Sequence, residues 1–263
     1  VEQTLLDISV RDEIATVAIN RPHRLNTLDR AAHAEMELIW PQLQARDDVA
    51  AVVLCGSGGV FSAGGDVKDM LEFAATHPGQ GSGIDITRAR RLVYAMLDFE
   101  KPLIAAVEGR AFGLGATLAL LCDFVIAAEG AQFSDPHVNI GLAPGDGGAA
   151  IWTVVAGPHR ARDLLMRDTL LTAEQLHPIG VVSQPCEPGT SVARAQELAA
   201  ELLTKPRLAV RGTKVSVNAW VKAQFAGIFE VSLAWEAATL RSADFAEGVA
   251  ALGAKRPARF VDR

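Results

Sequence analysis

The chain has little cysteine, no surplus of positive charge and no long apolar run, and each shortage closes off a class of protein. Its three cysteines, Cys55, Cys122 and Cys186, are scattered without metal-ligand spacing, so they read as buried, reduced thiols. His23, His33, His77 and His159 have no second histidine or carboxylate at metal-ligand spacing, and no metal site is expected. With 25 basic against 31 acidic residues the formal charge is −6, which argues against a general nucleic-acid binder, since a phosphate backbone wants a basic face. A small anionic ligand held by a local basic cluster stays compatible with that balance. No apolar stretch approaches the about 20 residues needed to cross a bilayer. The opening Val1-Glu2-Gln3 places no basic segment ahead of an apolar one, so no secretory signal is expected and the protein reads as cytoplasmic, with neither a nucleic-acid nor a membrane partner.

What is present is ordinary for a folded enzyme-sized chain. At 263 residues, 49% apolar and 21% charged, it can bury a sizeable core in one large α/β domain, or in one domain with an appendage. Residues 5–10 and 14–20 are short β-branched runs split by Arg11-Asp12-Glu13, the pattern of a hairpin. Asn26-Thr27-Leu28-Asp29 then offers capping groups to a helix running to about residue 45. Solid apolar runs at 50–55, 103–107 and 124–128 read as buried strands. Helical patterns lie between them at 67–75, 84–97 and 116–121. Alternation of strand and helix predicts parallel pairing. The glycine-rich stretch 77–83 reads as a surface loop and a lid over a site. After Ser191 the strand signals stop. Helices are expected at 192–203, 209–222, 229–241 and 243–252, which divides the chain into a core at 1–190 and a helical oligomerisation region at 191–263.

Three glycine-bearing segments follow strands: Phe61-Ser62-Ala63-Gly64-Gly65-Asp66-Val67-Lys68, Gly109-Arg110-Ala111-Phe112-Gly113-Leu114-Gly115-Ala116-Thr117, and Gly141-Leu142-Ala143-Pro144-Gly145-Asp146-Gly147-Gly148. Glycine between a strand and a helix lets backbone amides face outward, and the helix N-terminus adds positive potential there. Two such amides converging on one oxygen make an oxyanion hole. The plainer reading is tight helix–strand packing. A dinucleotide fingerprint is not met, because the second segment lacks the third glycine and the following acidic residue. Ser62 and Ser134 lack the strained turn of a nucleophile elbow. Trp40, Trp152, Trp220 and Trp235 sit on apolar helical patterns, as core or subunit contacts.

Taken together these segments resemble the crotonase (enoyl-CoA hydratase/isomerase) superfamily. Asn20-Arg21-Pro22 with Asn26-Thr27-Leu28 is similar to its opening signature, and residues 61–68 and 109–123 to its two oxyanion loops. Residues 127–133 resemble its next strand, and 141–148 its glycine turn. Ser242, Glu247-Gly248 and Lys255-Arg256-Pro257 with Phe260 resemble its C-terminal pattern. The resemblance implies the crotonase fold, an α/β spiral of ββα units closed by a C-terminal helical trimerisation region, and assembly as a homotrimer or dimer of trimers. It implies an acyl-CoA substrate, coenzyme A entering as part of the thioester with no permanently bound cofactor. The oxyanion donors would be the amides of Gly65 and Leu114. Arg24, Ala63, Asp66, Val67 and Lys68 fall where family members hold the adenine and phosphates of coenzyme A.

The resemblance breaks at the acid–base pair. Hydratases of this family use two glutamates that share a water, and the matching positions here are Thr117 and His137. Thr117 can orient water but is a poor base. His137 has a possible partner nine residues on in Asp146, since a neighbouring carboxylate raises the basicity of an imidazole; Asp146 can also cap a helix beginning near Gly147. His137 and Asp146, with Glu236 in Leu233-Ala234-Trp235-Glu236-Ala237, also resemble the β-diketone hydrolases of the same superfamily, although that branch has a further histidine near Gly115 that is missing here. The expectation is an enoyl-CoA hydratase/isomerase family enzyme using His137, Asp146 and Thr117. A retro-Claisen β-diketone hydrolase using His137, Asp146 and Glu236 is one alternative, and a catalytically silent acyl-CoA binder the other.

Overall fold

The computed structural model describes residues 5–76 and 85–261. The opening tripeptide and the glycine-rich stretch read as a lid lie outside the described residues. The chain opens with β1 (Leu6–Arg11) and β2 (Ile14–Ile19), the expected hairpin, with Leu6 opposite Ile19 and Asp12 and Glu13 at positive φ in its turn. Then come α1 (Arg30–Ala45), β3 (Ala51–Gly56), α2 (Val67–Thr76) and α3 (Ile86–Asp98). β4 (Leu103–Val107), β5 (Arg110–Phe112), α4 (Leu114–Leu120), β6 (Phe124–Ala128) and β7 (Gln132–Ser134) make the middle of the chain. The remainder is α5 (Gly148–Ala156), α6 (Pro158–Arg167), β8 (Leu171–Thr172), α7 (Ala173–Leu176), β9 (Gln184–Cys186), α8 (Ser191–Leu203), α9 (Arg207–Thr239) and α10 (Ala243–Gly253).

Two sheets result. The larger has the order β1-β2-β3-β4-β6-β9 and is parallel from β2 onward. β3 and β4 are buried on both faces, which is why they read as unbroken apolar runs. On one face Trp40 of α1 meets Phe99 edge-on, with ring centroids 5.8 Å apart. On the other, Ala195 and Ala199 of α8 pack on Val53, Ile104 and Ile126. The smaller sheet is β5-β7-β8. Chain passes from one sheet to the other through Gly109, at φ +60°, where a Cβ would stand 2.5 Å from the carbonyl of Gly59. That bend makes a ββα unit of β4, β5 and α4 and carries the segment that follows to the edge of a cavity.

Two helices expected at 209–222 and 229–241 are one continuous helix of 33 residues, α9. Gly227 reads as a break but does not make one. A mid-helix glycine costs only about 1 kcal/mol relative to alanine, and the burial of Phe225, Phe229 and Leu233 on the core outweighs it. The rod is anchored by Lys214, whose Nζ lies 2.7 Å from Asp123 beside β6. Among the described residues no helix is long and apolar enough to cross a membrane.

Asn26 holds the front of the fold together. It is fully buried at positive φ. Its side chain accepts from the Arg21 amide (2.9 Å) and donates to the carbonyls of Ser57 (2.8 Å) and Val60 (2.6 Å). Asn26→Ala takes the partner from three backbone groups at once, one of them buried and two part-buried. Each net bond is worth about 1 kcal/mol and an unmet partner costs somewhat more, so the expected loss is about 2–4 kcal/mol in equilibrium denaturant unfolding, with the m-value unchanged.

Candidate active site

The site begins where two glycine segments meet. Leu28 accepts from the Asp66 amide (3.1 Å) and donates to the Gly64 carbonyl (2.8 Å), so the loop after β3 is held like a strand on both sides of Gly65. The second loop is hung in the same way. Phe112 donates to Ser62 and Gly113 to Ser134, each at 2.9 Å. Gly64, at φ +86°, permits the approach of the two loops: a Cβ on it would lie 2.7 Å from the Phe112 carbonyl and 3.6 Å from the Leu114 nitrogen. Leu114 is the first residue of α4, so its N–H has no carbonyl one turn back to receive it. Neither the Gly65 nor the Leu114 amide donates to any described residue. Both residues line one cavity of about 590 Å³. Two unengaged amides whose residues line one largely apolar space, one of them opening a helix, are what an oxyanion requires.

The opposite wall is ionisable. After β7 the chain makes a 3-10 turn over Pro136–Ile140, which turns His137 toward the second loop; a Cβ on Gly113 would sit 3.4 Å from His137 Cε1. His137 Nδ1 contacts Asp135 Oδ1, and its Nε2 lies 3.4 Å from Asp146 Oδ2. Asp146 Oδ1 also accepts from the Gly148 amide at 3.3 Å. Asp146 thus faces the imidazole, but it does not cap α5 as expected: that helix begins at Gly148, its N-cap is Gly147, and it has no side-chain cap. Glu236 arrives from α9 and is 1% exposed. It fits because position 145 is glycine: a Cβ there would strike the Glu236 Cβ and come 2.6 Å from its Oε2. Among the described residues neither Glu236 Oε2 nor Asp135 Oδ2 has a hydrogen-bond partner.

These environments push the titrations apart. Burial opposes a charge on His137, but the Asp135 and Asp146 carboxylates outweigh it and hold the imidazole protonated well above its ordinary range. Burial likewise disfavours charge on Asp146, and the His137 cation overrides it, so Asp146 stays ionised below the usual carboxylate range. Glu236 has no such compensation. Burial, with the Asp146 charge beside it, lifts its carboxyl to about 8. At neutral pH the buried Glu236 is thus a neutral carboxylic acid beside the His137–Asp146 pair.

Residues 9–263 match the model of the enoyl-CoA hydratase/isomerase family. The chain belongs to that family. It is 34% identical over 255 residues to the 1,2-epoxyphenylacetyl-CoA isomerase of Escherichia coli K12, covering 97% of each chain. It is 30% identical over 253 residues to the crotonyl-CoA hydratase of Syntrophomonas wolfei, covering 96% of each. Among solved structures, an enoyl-CoA hydratase/isomerase from Mycobacterium paratuberculosis superposes with a TM-score of 0.86 at 29% identity, covering 94% of this chain and 98% of that one.

Not every residue singled out by its likeness to the enoyl-CoA hydratase/isomerase family comes to the cavity. Gly65, Leu114, His137, Asp146, Glu236, Ala63, Asp66 and Val67 line it. Thr117 does not. It is fully buried in α4, its hydroxyl has no partner among the described residues, and its methyl faces Gly147. Arg24 and Lys68 are exposed and off the lining. Asp66 is spent on structure: it accepts from Thr27 (3.0 Å) and Lys68 N (3.1 Å) and pairs with Arg24 (2.9 Å) and Arg21 (3.4 Å). His137 has Asp135 against Nδ1 and Asp146 3.4 Å from Nε2. Two lining or supporting groups were not anticipated. Asp135 stands two residues before His137 on an ordinary-looking turn, and His33 faces the cavity from α1.

The pH dependence of stability follows from Glu236. Its folded-state carboxyl keeps its proton to about 8, whereas an unfolded glutamate loses it near 4.3. Between those values the folded state holds more protons, so this group's contribution is full below the lower value and lost as pH rises through the upper. Glu236→Gln removes that loss. Thermal melts of wild type and variant are expected to be similar at pH 5, with the variant more stable at pH 9.

Proposed function

We propose that the protein transforms the acyl group of a coenzyme A thioester, with the Gly65 and Leu114 amides as the oxyanion hole and the wall of Asp135, His137, Asp146 and Glu236 handling protons. The observation that carries this reading is the shared cavity: two residues with unengaged main-chain donors, Gly65 and Leu114, line one space with His137, Asp146 and Glu236, and Asp135 stands behind the imidazole. The thioester oxygen accepts from both amides. Charge that develops when the β-carbon takes a nucleophile, or when an α-proton leaves, collects on that oxygen. One such donor typically lowers the barrier by about 2.7–4 kcal/mol. Glu236, neutral near pH 7, is the proton donor. His137 serves as a fixed cation, balancing enolate charge and holding Asp146 in place. Coenzyme A comes as part of the substrate, its adenine and phosphates beside Ala63, Asp66 and Val67 with Arg24 and Lys68 at the exposed edge. No resident cofactor is invoked.

A carbon–carbon hydrolase of β-diketones is the second reading, supported by the meeting of His137, Asp146 and Glu236 in one wall. Ring-opened acid formed from a cyclic β-diketone, with no turnover of crotonyl-CoA, would favour it over the first.

We also read 1–190 as the catalytic core and 191–263 as the oligomerisation region. Leu208, Trp220, Val231 and Trp235 stand exposed along α9, more apolar surface than one helix leaves to solvent without a partner. A homotrimer or dimer of trimers is expected, so light scattering after size exclusion should give three or six times the 27.9 kDa of the chain; a monomer would remove this assignment.

For the chemistry, His137→Ala is expected to lower kcat on crotonyl-CoA by about 10² to 10⁴-fold while coenzyme A binding by calorimetry stays unchanged. Wild-type kcat should fall as pH rises through about 8, where Glu236 gives up its proton. In Glu236→Gln that alkaline limb should be gone. Turnover unaltered by His137→Ala would take the imidazole out of the mechanism.

A further inference from the structure

We propose that Asp135 is a positioning residue for His137, a role that rests on the acyl-CoA reading above: it holds the Nδ1 edge of the ring from behind and so directs Nε2 at Asp146 in the cavity wall.

Asp135 is not spent where a carboxylate in its place usually is. It is the N-cap of the 3-10 turn Pro136–Ile140, and an aspartate at a helical N-cap ordinarily accepts from an amide of the first turn. This one makes no such bond. Its side chain is shielded completely from solvent, with Oδ1 against His137 Nδ1. Oδ2 is buried and has no partner among the described residues. Among those residues no lysine or arginine pairs with Asp135, and its ion pair is with the imidazole. Burying a carboxylate against a single ring costs folding free energy. What that cost secures is the orientation of the ring.

A glycine makes the place for it. A Cβ on Gly148 would come 2.3 Å from Asp135 Oδ2, so a side chain there would drive the carboxylate off the imidazole. Gly148 is the first residue of α5 and is not at positive φ. Close approach, and not backbone freedom, is what the glycine provides. The main chain beside Asp135 is fixed as well. Ser134 accepts from the Gly113 amide at 2.9 Å, so the acid behind the ring is registered by one backbone bond to the loop that carries Leu114.

An ionised carboxylate only accepts, so the proton between Asp135 and the ring belongs to Nδ1. Nε2 is then the edge turned to Asp146, 3.4 Å from its Oδ2. Both His137 and Asp146 line the cavity. Burial opposes the cation on His137, and Asp135 is the leading charge that offsets it, ahead of Asp146. Glu236, from α9, is influenced by all three groups, and His33, from α1, by Asp146. Asp135 thus sets both the direction of the ring and the persistence of its charge, without itself lining the cavity.

The test labels histidine ring nitrogens with 15N in wild type, Asp135→Asn and Gly148→Ala, and follows turnover of crotonyl-CoA with coenzyme A as the binding probe. In wild type the His137 signals, identified by their absence from His137→Ala, should show Nδ1 protonated throughout the neutral range. Asp135→Asn keeps the shape and removes the charge. Its His137 titration should move to lower pH and its kcat should fall about 10² to 10⁴-fold, with KM and coenzyme A affinity unchanged. Gly148→Ala displaces the same carboxylate without altering it, and should reproduce both effects. Full kcat in Asp135→Asn overturns the assignment. So does a fall in kcat with the His137 titration unmoved, which is what a packing role would give, and so does a wild-type ring whose proton sits on Nε2 alone. Each of these leaves the acyl-CoA reading standing. A wild type that neither binds coenzyme A nor turns over crotonyl-CoA overturns that reading instead. If Asp135→Asn fails to fold, the wild-type nitrogen signals and Gly148→Ala decide: a ring without a proton on Nδ1, or an unmoved titration in Gly148→Ala, rejects the role.

Discussion

An imidazole held between two carboxylates in a buried wall is the interaction on which the site depends. Removing three ionisable groups from water is unfavourable unless each charge is met by another. Asp135, His137 and Asp146 meet that condition with alternating sign. Beside them Glu236 keeps its proton to about 8, first because it is buried and then because the Asp146 charge lies next to it.

The backbone supplies the other half of the chemistry. The loops that carry Gly65 and Leu114 are held by the backbone around them: Leu28 donates to the Gly64 carbonyl, Phe112 to Ser62 and Gly113 to Ser134. Asn26 and Asp66, both buried and polar, do not touch the reacting space so much as fix the loops that do. Much of the polar interior of this protein is scaffolding for two N–H groups.

The sequence made the large parallel sheet legible because strands covered on both faces write unbroken apolar runs, as at 51–56 and 103–107. The glycine segments were legible for a related reason, since backbone approach leaves glycine where a side chain would otherwise be chosen. The pairing of His137 with Asp146, nine residues apart, could be anticipated from a turn between them. The short strands β5, β7 and β8 escaped because two or three residues carry no period to read. Asp135 escaped because a carboxylate before a proline looks like any loop residue. His33 escaped because a histidine on an amphipathic helix gives no sign of which way it faces. The continuity of α9 was hidden by Gly227, whose cost is repaid by tertiary packing that local propensity does not register.

The close approach of Glu236 to position 145 ties together two places ninety-one positions apart in the chain. With any side chain at 145, the carboxylate on α9 could not occupy its present place. A divergent relative that acquires even a methyl at 145 must shorten or displace the side chain at 236, and in doing so gives up the buried acid. The two positions are therefore expected to drift as a pair across related sequences, so that an alanine or larger residue at the first marks a descendant whose proton chemistry has changed.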